Sequence, residues 1–350
     1  MKTDILLVDP AAIDGETLQR AGDCLRAGGL VAFPTETVYG LGANALDENA
    51  VARIFVAKDR PSNDPIIVHI ADYDHLREIV REVPQIAEKL AAQLWPGPLT
   101  MIFRKSARVP ANVSAGLDTV AVRMPSHPVA LALIRAAGVP VAAPSANTFS
   151  RPSPTTAAHV LNDLSGRVDI VLDGGPATIG LESTVLDVIV NPPVILRPGG
   201  VSLEDLRALV PDVAVKARFV EMTAEESSSS PGMLTRHYAP SAEMILFTGE
   251  VRRVHEAMLH MGQKLSQEGK RVGVLVTDSE AAIFSKAGFE VYSLGDELAQ
   301  ISSRLFTGLR DLETRKVDVI LSRDISREGL GLAVWDRLFR AAEGRVIEVD

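Results

Sequence analysis

Hydroxyl groups and glycines follow a short apolar run in residues 31–45, VAFPTETVYGLGANA. The run predicts a buried strand, and Pro34 ends its regular pairing because proline lacks the backbone donor. If the chain stays extended, Thr35 and Thr37 point to one side and Glu36 to the other. Two hydroxyls beside glycines that allow a close approach suit a small polar ligand. A polar strand exit followed by a glycine turn is the alternative, and these residues alone leave both open.

Two cations and a histidine follow in the segment KDRPSNDPIIVHI. Lys58 and Arg60, just past a predicted helix, can hold triphosphate oxygens, or they can compensate the helix dipole. His69 lies in an apolar run, where a histidine is more often a hydrogen-bonded core residue. Arg123 ends a strand that alternation predicts to be buried, so its charge needs a partner. No acidic residue follows it closely, which leaves a substrate carboxylate or an ion pair from elsewhere.

Polar residues also lie at the ends or starts of later predicted strands. Residues 139–143 predict a strand that runs into a proline-stiffened loop, and a helix starts near residue 155. Hydroxyls and amides in such a loop suit a phosphate or an adenosine, or they cap the loop and the helix. The side chains concerned are Ser145, Asn147, Ser150, Arg151 and Ser153 in this loop, Ser183 and Thr184 at a strand start, Arg197 at a strand end, and Arg236, His237 and Tyr238 further on. No Walker, kinase, GxSxG or HExxH motif accompanies them.

The elements that must position these side chains alternate between strand and helix. Short apolar strands interleaved with amphipathic helices predict an α/β domain with a largely covered sheet over residues 1–212. Residues 213–240, rich in Ser, Pro and Gly, predict a linker. A second alternation over residues 241–350 predicts a smaller doubly wound domain. The GLGL stretch at residues 329–332 lacks the strand–GxGxxG–helix context of a dinucleotide site.

Composition restricts the class of protein. The 350 residues carry a net charge of −9 without a basic block, which argues against tight bulk binding of nucleic acid. No stretch of about 18 apolar residues predicts a membrane span. The N-terminus carries no signal-peptide pattern. The single Cys24 excludes an internal disulfide and a cysteine zinc site, and it fits a reducing compartment. We therefore predict a cytoplasmic location.

Seven stretches, in this order, resemble the YrdC-type threonylcarbamoyl-AMP synthase family in its two-domain form. They are FPTETVYGLGANA, KDRPSNDPIIVH, WPGPLT, VAVRMPSHP, APSANTFSRPSPT, DGGPATIGLESTV and ILRPG. SPGMLTRHYAP resembles the linker of the two-domain members. The resemblance implies an α/β fold: a YrdC-like twisted, mixed open sheet with helices, and a smaller Rossmann-like α/β C-terminal domain. It also implies that the linker folds over the active site.

The resemblance implies an activity as well. The expected reaction is ATP-dependent condensation of L-threonine with bicarbonate or CO₂ to L-threonylcarbamoyladenylate, with release of pyrophosphate, for tRNA threonylcarbamoyladenosine modification. Mg²⁺ would come with ATP and be held by the phosphates, without protein side chains as ligands. A downstream transferase would accept the adenylate, so that tRNA is an indirect partner. No membrane is involved.

Site residues follow from the same resemblance, and none of them is implied as an acid or base catalyst. Threonine would be surrounded by Thr37, His69, Arg123, Ala143 and Ser183. ATP would contact Lys58, Arg60, Asp64, Thr119, Ser145, Asn147, Ser153, Arg197 and Tyr238. Asp64 stands where the family segment is expected to have asparagine, and its negative charge is unfavourable near a triphosphate unless a cation offsets it.

Three other interpretations compete with this one. A YrdC-type domain can present a concave basic surface to RNA as a translation-associated module, which the acidic composition disfavours. A carbamoyltransferase of the hydrogenase-maturation kind shares the domain, but it needs a Cys-rich zinc module that one cysteine cannot supply. The third interpretation, a separate enzyme in the C-terminal domain, has no motif to support it.

Overall fold

The computed structural model describes residues 2–216 and 238–349. The described residues divide into two compact units: residues 2–149 with 153–216, and residues 150–152 with 238–349. By their contacts, residues 150–152 thus belong to the second unit although the chain on either side of them belongs to the first. The domain limits predicted at residues 212 and 241 stay predictions.

The first unit contains both strands and helices in alternation. Its described strands are β1 Asp4–Leu7, β2 Val31–Phe33, β3 Gly40–Asn44, β4 Ile67–His69, β5 Leu99–Arg104, β6 Thr119–Arg123, β7 Val141–Ala142, β8 Ile170–Asp173, β9 Thr184–Asp187, β10 Val194–Arg197 and β11 Ala214–Val215. Its described helices are α1 Gly15–Arg26, α2 Glu48–Lys58, α3 Tyr73–Ile79, α4 Gln85–Leu94, α5 Pro128–Ala137, α6 Ala157–Leu164 and α7 Leu203–Leu209.

These strands form one mixed sheet in the order β1-β8-β2-β3-β7-β4-β6-β5-β9-β10-β11. β4 runs parallel to β6 and β5 parallel to β9, whereas β2–β3, β3–β7, β4–β7, β5–β6 and β9–β10 are antiparallel. The mixed sheet confirms the predicted fold of this unit. Because strand directions differ, polar residues reach a common surface from strand starts as well as from strand ends.

The two faces of the sheet bury different cores. One face carries the large core, which includes residues of α2, α4 and α6. On the other face, the half formed by β1, β8, β2 and β7 packs on α1 and α5. The rest of that second face, over β4, β6, β5, β9 and β10, carries a small apolar cluster, which we call the floor cluster. It consists of Ile67, Ile102, Ala121, Val185 and Leu196.

The glycine turn considered for residues 40–42 is wrong, because Gly40–Asn44 is a strand that pairs with β2 and β7. A Cβ at Gly42 would lie 2.8 Å from Val141 Cγ1 and 2.9 Å from Phe33 Cε1. Glycine is therefore present here because side chains of the neighbouring strands occupy the space above it. Glycine in a strand often marks this kind of close approach.

Helix ends follow their sequence signals. The Asp14 and Asp47 side chains accept backbone N–H groups at the starts of α1 and α2. Ser202 and Asp205 form a capping box at the start of α7. Gly138 ends α5 in the left-handed conformation, with φ of 63°.

The second unit is a parallel sheet with helices between its strands. Its described elements are β12 Glu243–Gly249, α8 Val251–Gln267, β13 Val272–Val276, α9 Asp278–Ser285, β14 Glu290–Ser293, α10 Leu298–Thr314, β15 Val319–Arg323, α11 Gly331–Ala341 and β16 Val346–Val349. The strand order is β14-β13-β15-β12-β16, and every pair is parallel. This confirms the predicted Rossmann-like domain. Among the helices that the structure describes in both units, none is long and apolar enough to cross a membrane.

Replacing Gly22 by alanine is expected to destabilise the first unit. A Cβ there would lie 2.6 Å from the backbone carbon of Ala136 in α5, so α1 and α5 would have to separate. Overpacking of this kind costs about 1–3 kcal/mol of unfolding free energy. Urea titration followed by Trp95 fluorescence, in a Trp335→Phe background, measures the loss. Gly15→Ala, where a Cβ meets nothing within 4 Å, is the matched control and should change stability by less than about 0.5 kcal/mol. Equal effects of the two substitutions would contradict the packing argument.

Candidate active site

Strand pairing places polar side chains at one level of the central sheet. Arg123, at the end of β6, is the direct partner of His69 in β4 and of Thr100 in β5. Thr100 and Arg197 both pair with Val185 of β9. Directly paired residues share a face, so these side chains border the floor cluster. The predicted site residues His69, Arg123 and Arg197 are thus brought to one surface.

The segment between β2 and β3, residues 34–39, bends instead of staying extended. The hydroxyl oxygens of Thr35 and Thr37 lie 2.8 Å apart. Arg123 Nη1 donates to Thr37 Oγ1 at 2.7 Å, and Arg123 Nη2 lies 2.6 Å from Glu36 Oε1. The expectation that Glu36 points away from Thr37 is therefore wrong, because the bend turns both side chains toward the same guanidinium.

Arg123 is the centre of a buried polar shell, with 3% of its surface exposed. Its Nε donates to the Gly97 carbonyl at 3.1 Å. Together with Thr37 and Glu36, this contact engages three of the five N–H groups of the guanidinium within the described ranges, and two N–H groups lie outside these contacts. The sequence left two possible partners for Arg123 open, a substrate carboxylate or a distant acidic residue. The structure contains the second, Glu36, and this ion pair does not occupy the whole guanidinium.

Glu36 is a buried carboxylate that its neighbours keep ionised. Burial alone would raise its pKa, but the Arg123 guanidinium and the backbone N–H of Ser126 outweigh burial, so the pKa lies below its ordinary value. The Ser126 N–H does not have the geometry of a regular hydrogen bond, and among residues 2–216 and 238–349 neither carboxylate oxygen accepts one. The ion pair is therefore the main compensation for burying this charge. Glu36 also acts on His127, whose pKa burial lowers and the carboxylate partly restores.

His69 is a neutral imidazole beside this pair. Burial lowers its pKa to about 3; the Arg123 charge adds to that effect and Glu36 opposes it. Its ring meets Phe33 edge to face, with the ring centroids 6.1 Å apart. Within the part of the chain that the structure describes, Nδ1 has no hydrogen-bond partner. The ring can therefore offer one nitrogen to a ligand without carrying a charge of its own.

Ser183 and Arg197, predicted for threonine and for ATP, are in direct contact. Arg197 Nη2 donates to the Ser183 carbonyl at 2.9 Å and to Ser183 Oγ at 3.2 Å. Ser183 Oγ also lies 2.7 Å from Thr100 Oγ1. Gly199 makes this approach possible, since a Cβ there would lie 2.3 Å from the Ser183 carbonyl carbon. Thr100 was missed as a site residue, although the WPGPLT stretch contains it.

Lys58 bonds to two more predicted residues, and a third, Ser153, bonds to a nearby carboxylate. Lys58 Nζ donates to the Ser145 carbonyl at 2.5 Å and also to the Asn147 carbonyl. Ser153 Oγ donates to Glu182 Oε1 at 2.5 Å. Glu182 is a second residue that the sequence interpretation missed, and its place directly before Ser183 was the signal. These bonds tie the predicted phosphate loop to the end of α2 and to the start of β9.

Arg60 and Asp64 pair with each other inside the protein. Arg60 Nη2 lies 2.8 Å from Asp64 Oδ2, and the two side chains are 4% and 0% exposed. Arg60 Nη2 also donates to the Pro65 carbonyl at 2.9 Å. The negative charge at Asp64 is thus offset by the adjacent arginine. Contacts of either residue with ATP stay predictions.

Two predicted residues lie at the other end of the central strands. Thr119 precedes Arg123 by four residues on the same face of β6, which places it about 13 Å away along the strand. The backbone N–H of Ala143 donates to the Ile67 carbonyl at 2.9 Å, so it lies at the start of β4. The predicted ligands of threonine and ATP therefore extend along the face of the sheet as well as across it.

Tyr238 belongs to the second unit. Its ring is buried and packs on Phe306, with the ring centroids 5.3 Å apart. Arg151 likewise contacts the second unit's Glu313, through Nη2 at 2.6 Å from Oε2. The ATP contact of Tyr238 stays a prediction. The other two linker residues singled out, Arg236 and His237, lie outside the described residues.

Two loops far apart in sequence are joined over the site. The backbone N–H of Ile179 donates to the Glu36 carbonyl at 2.8 Å, and Thr178 Oγ1 donates to the same oxygen at 3.4 Å. The Tyr39 hydroxyl donates to the Gly175 carbonyl at 2.6 Å. These bonds fix the backbone from which Glu36 and Thr37 reach Arg123.

Replacing His69 by glutamine is expected to reduce the acid sensitivity of the first unit. The unfolded imidazole takes up a proton near pH 6.5, whereas the folded one excludes it down to about pH 3, so the wild-type chain loses stability as the pH falls through that window. Between pH 7 and pH 5 this loss is about 2 kcal/mol. Urea titrations at both pH values, followed by Trp95 fluorescence in a Trp335→Phe background, measure it. The exposed His260→Gln is the control, and an unchanged pH dependence in His69→Gln would contradict the prediction.

Comparison with known proteins gives matches along almost the whole chain. Residues 23–199 match the family model described as Telomere recombination, and residues 201–343 match the model of the threonylcarbamoyl-AMP synthase C-terminal domain. The threonylcarbamoyl-AMP synthase of Pyrococcus abyssi is 47% identical over 329 residues, which cover 94% of this chain and 95% of the relative. That of Bacillus subtilis is 43% identical over 342 residues, which cover 97% of each.

The fold comparison agrees with the sequence comparison. The crystal structure of P. abyssi Sua5 complexed with L-threonine matches with a TM-score of 0.94 and 46% identity, over 99% of this chain and 100% of that chain. Because the fold and the sequence match over both units, the similarity is not confined to one of them. The chain therefore belongs to the threonylcarbamoyl-AMP synthase family, as the seven stretches of its sequence predict.

Proposed function

We propose that this chain condenses L-threonine, bicarbonate or CO₂, and ATP into L-threonylcarbamoyladenylate and pyrophosphate. Synthases of this name at 47% and 43% identity support the activity, as does the threonine complex of the P. abyssi protein. The observation that carries it in this chain is the buried Arg123, which keeps two N–H groups for a carboxylate beside Thr37 and the neutral His69. A guanidinium holds a carboxylate in a planar, bidentate geometry.

The side chains act by positioning and by charge. The threonine ammonium first releases a proton, and the free amine then attacks the carbon of bicarbonate with loss of water, or that of CO₂ with loss of a second proton. The carbamate oxygen attacks the α-phosphorus in line as the bond to the departing pyrophosphate breaks. Arg123 orients the amino acid, and the cations Lys58 and Arg197 offset the charge of the phosphates. Holding the reactants in line removes much of the entropic barrier, and fixed positive charge stabilises the crowded phosphoryl oxygens.

Magnesium enters this proposal as part of the ATP substrate. Residues 2–216 and 238–349 contain no group of three or more His, Cys, Asp or Glu side chains that could hold a metal ion. The buried carboxylates of Glu36 and Asp64 each face an arginine. Phosphate oxygens and water are the ligands that Mg²⁺ commonly keeps in nucleotide sites, so the nucleotide would supply them.

The product determines the class of downstream partner. A threonylcarbamoyl group joined to AMP through a mixed anhydride is activated for transfer, so a separate transferase would carry it to adenosine in tRNA. A cytoplasmic location remains a prediction. The alternative of an RNA-binding module is not favoured, because the relatives are synthases and the net charge is −9.

The activity is tested by incubating the full chain with ATP, labelled bicarbonate and single amino acids. Pyrophosphate release and a labelled adenylate are expected with L-threonine and absent without it. Retardation of tRNA in a gel without ATP, together with no pyrophosphate release, would instead support the RNA-binding module.

Replacing Arg123 by alanine is expected to weaken threonine binding by about 30-fold or more, since a hydrogen bond to a charged group contributes about 1.5–3 kcal/mol. ATP binding should change by less than about 3-fold, because different side chains are predicted to hold the nucleotide. Calorimetry with each ligand measures both effects. Arg123→Lys keeps the charge that Glu36 requires but lacks the planar fork, so it separates loss of recognition from loss of folding. Equal loss of both ligands in both variants would contradict the assigned role.

A further inference from the structure

We infer that Glu36 is the receptor for the ammonium group of the amino-acid substrate, and thus the residue that distinguishes an amino acid from the same acid without its amino group. The inference rests on the proposed function, because it concerns the same site. It starts from the 2.6 Å ion pair of Glu36 with Arg123.

Charge balance is the first argument. An amino acid brings one carboxylate and one ammonium into a site where Arg123 and Glu36 already neutralise each other. If the carboxylate alone found a partner, the ammonium would be buried without one, which is costly. The other groups that contact Arg123, the Thr37 hydroxyl and the Gly97 carbonyl, are neutral, and the nearby His69 is uncharged at neutral pH. Among the described residues that contact Arg123, Glu36 is the negatively charged one.

Geometry is the second argument. The carboxylate and the ammonium of an α-amino acid are attached to the same carbon atom. A carboxylate bound by the two remaining N–H groups of Arg123 therefore brings the ammonium next to the groups that already contact this guanidinium. Glu36 is one of them, and both of its oxygens are buried without a regular hydrogen bond among the described residues. Its backbone carbonyl is held by the Ile179 N–H at 2.8 Å, so the side chain starts from a fixed point.

Two other roles for Glu36 lead to different results. If Glu36 only holds Arg123 in position, its loss weakens every carboxylate ligand equally. If Glu36 only competes with the substrate for the guanidinium, its loss strengthens every carboxylate ligand equally. If Glu36 binds the ammonium, its loss affects ligands with an amino group differently from ligands without one.

The test compares L-threonine with 3-hydroxybutyrate, which is threonine without its amino group. Calorimetry on the full-length wild-type chain and on Glu36→Gln gives the Kd of each ligand. Glu36→Gln is expected to weaken threonine binding by about 10-fold or more, the effect of a charge-assisted hydrogen bond, and to leave 3-hydroxybutyrate unchanged or bound more tightly. Glu36→Asp, which keeps the charge, should recover part of the threonine affinity.

Glu280→Gln is the matched control, because Glu280 is also a buried carboxylate, 2.6 Å from Arg323 Nε in the second unit. It should leave both Kd values unchanged. Equal weakening of both ligands in Glu36→Gln, or tighter binding of threonine, would overturn the inference. Failure of the wild-type chain to bind threonine would overturn the proposed function as well, so the two failures can be told apart.

Discussion

A buried guanidinium is the constraint on which the first unit depends. Removing a charge from water is unfavourable unless other groups replace the hydration, and Arg123 has almost no contact with solvent. The structure meets this requirement with one carboxylate, one hydroxyl and one carbonyl, contributed by two loops. Each loop must therefore hold its conformation for the arginine to remain charged. The same compensation leaves part of the guanidinium open, so stability and recognition draw on the same side chain.

The mixed sheet provides the surface on which this arrangement can exist. Helices α1 and α5 cover only one half of the second face, and the other half keeps the floor cluster bordered by polar residues. Antiparallel pairing of β5 with β6 places Thr100 opposite Arg123, and pairing of β9 with β10 places Arg197 at the same level. A purely parallel sheet would collect its polar residues at the carboxyl ends of the strands. In this mixed sheet, polar residues also line one face.

Sequence predicted most of the fold and singled out several residues that the structure brings together, but not the partners of these residues. Alternation and capping signals located the strands and helices, because burial period and cap chemistry are local properties. Gly40 and Gly42 resembled a turn, since the side chains of Phe33 and Val141 that require them come from other strands. The unpaired charge of Arg123 indicated a missing partner, yet Glu36 stands 87 residues earlier in the chain. Pairings between distant segments are set by tertiary packing.

The bonds from Ile179 and Tyr39 have a consequence for attempts to move this site into another scaffold. Hydrogen bonds to backbone carbonyls join the loops at residues 34–39 and 174–182. Neither loop alone would therefore be expected to keep its conformation in another scaffold. A graft of the PTET segment alone would leave behind the donors that align it. The transferable unit consists of both segments together, although they lie about 140 residues apart.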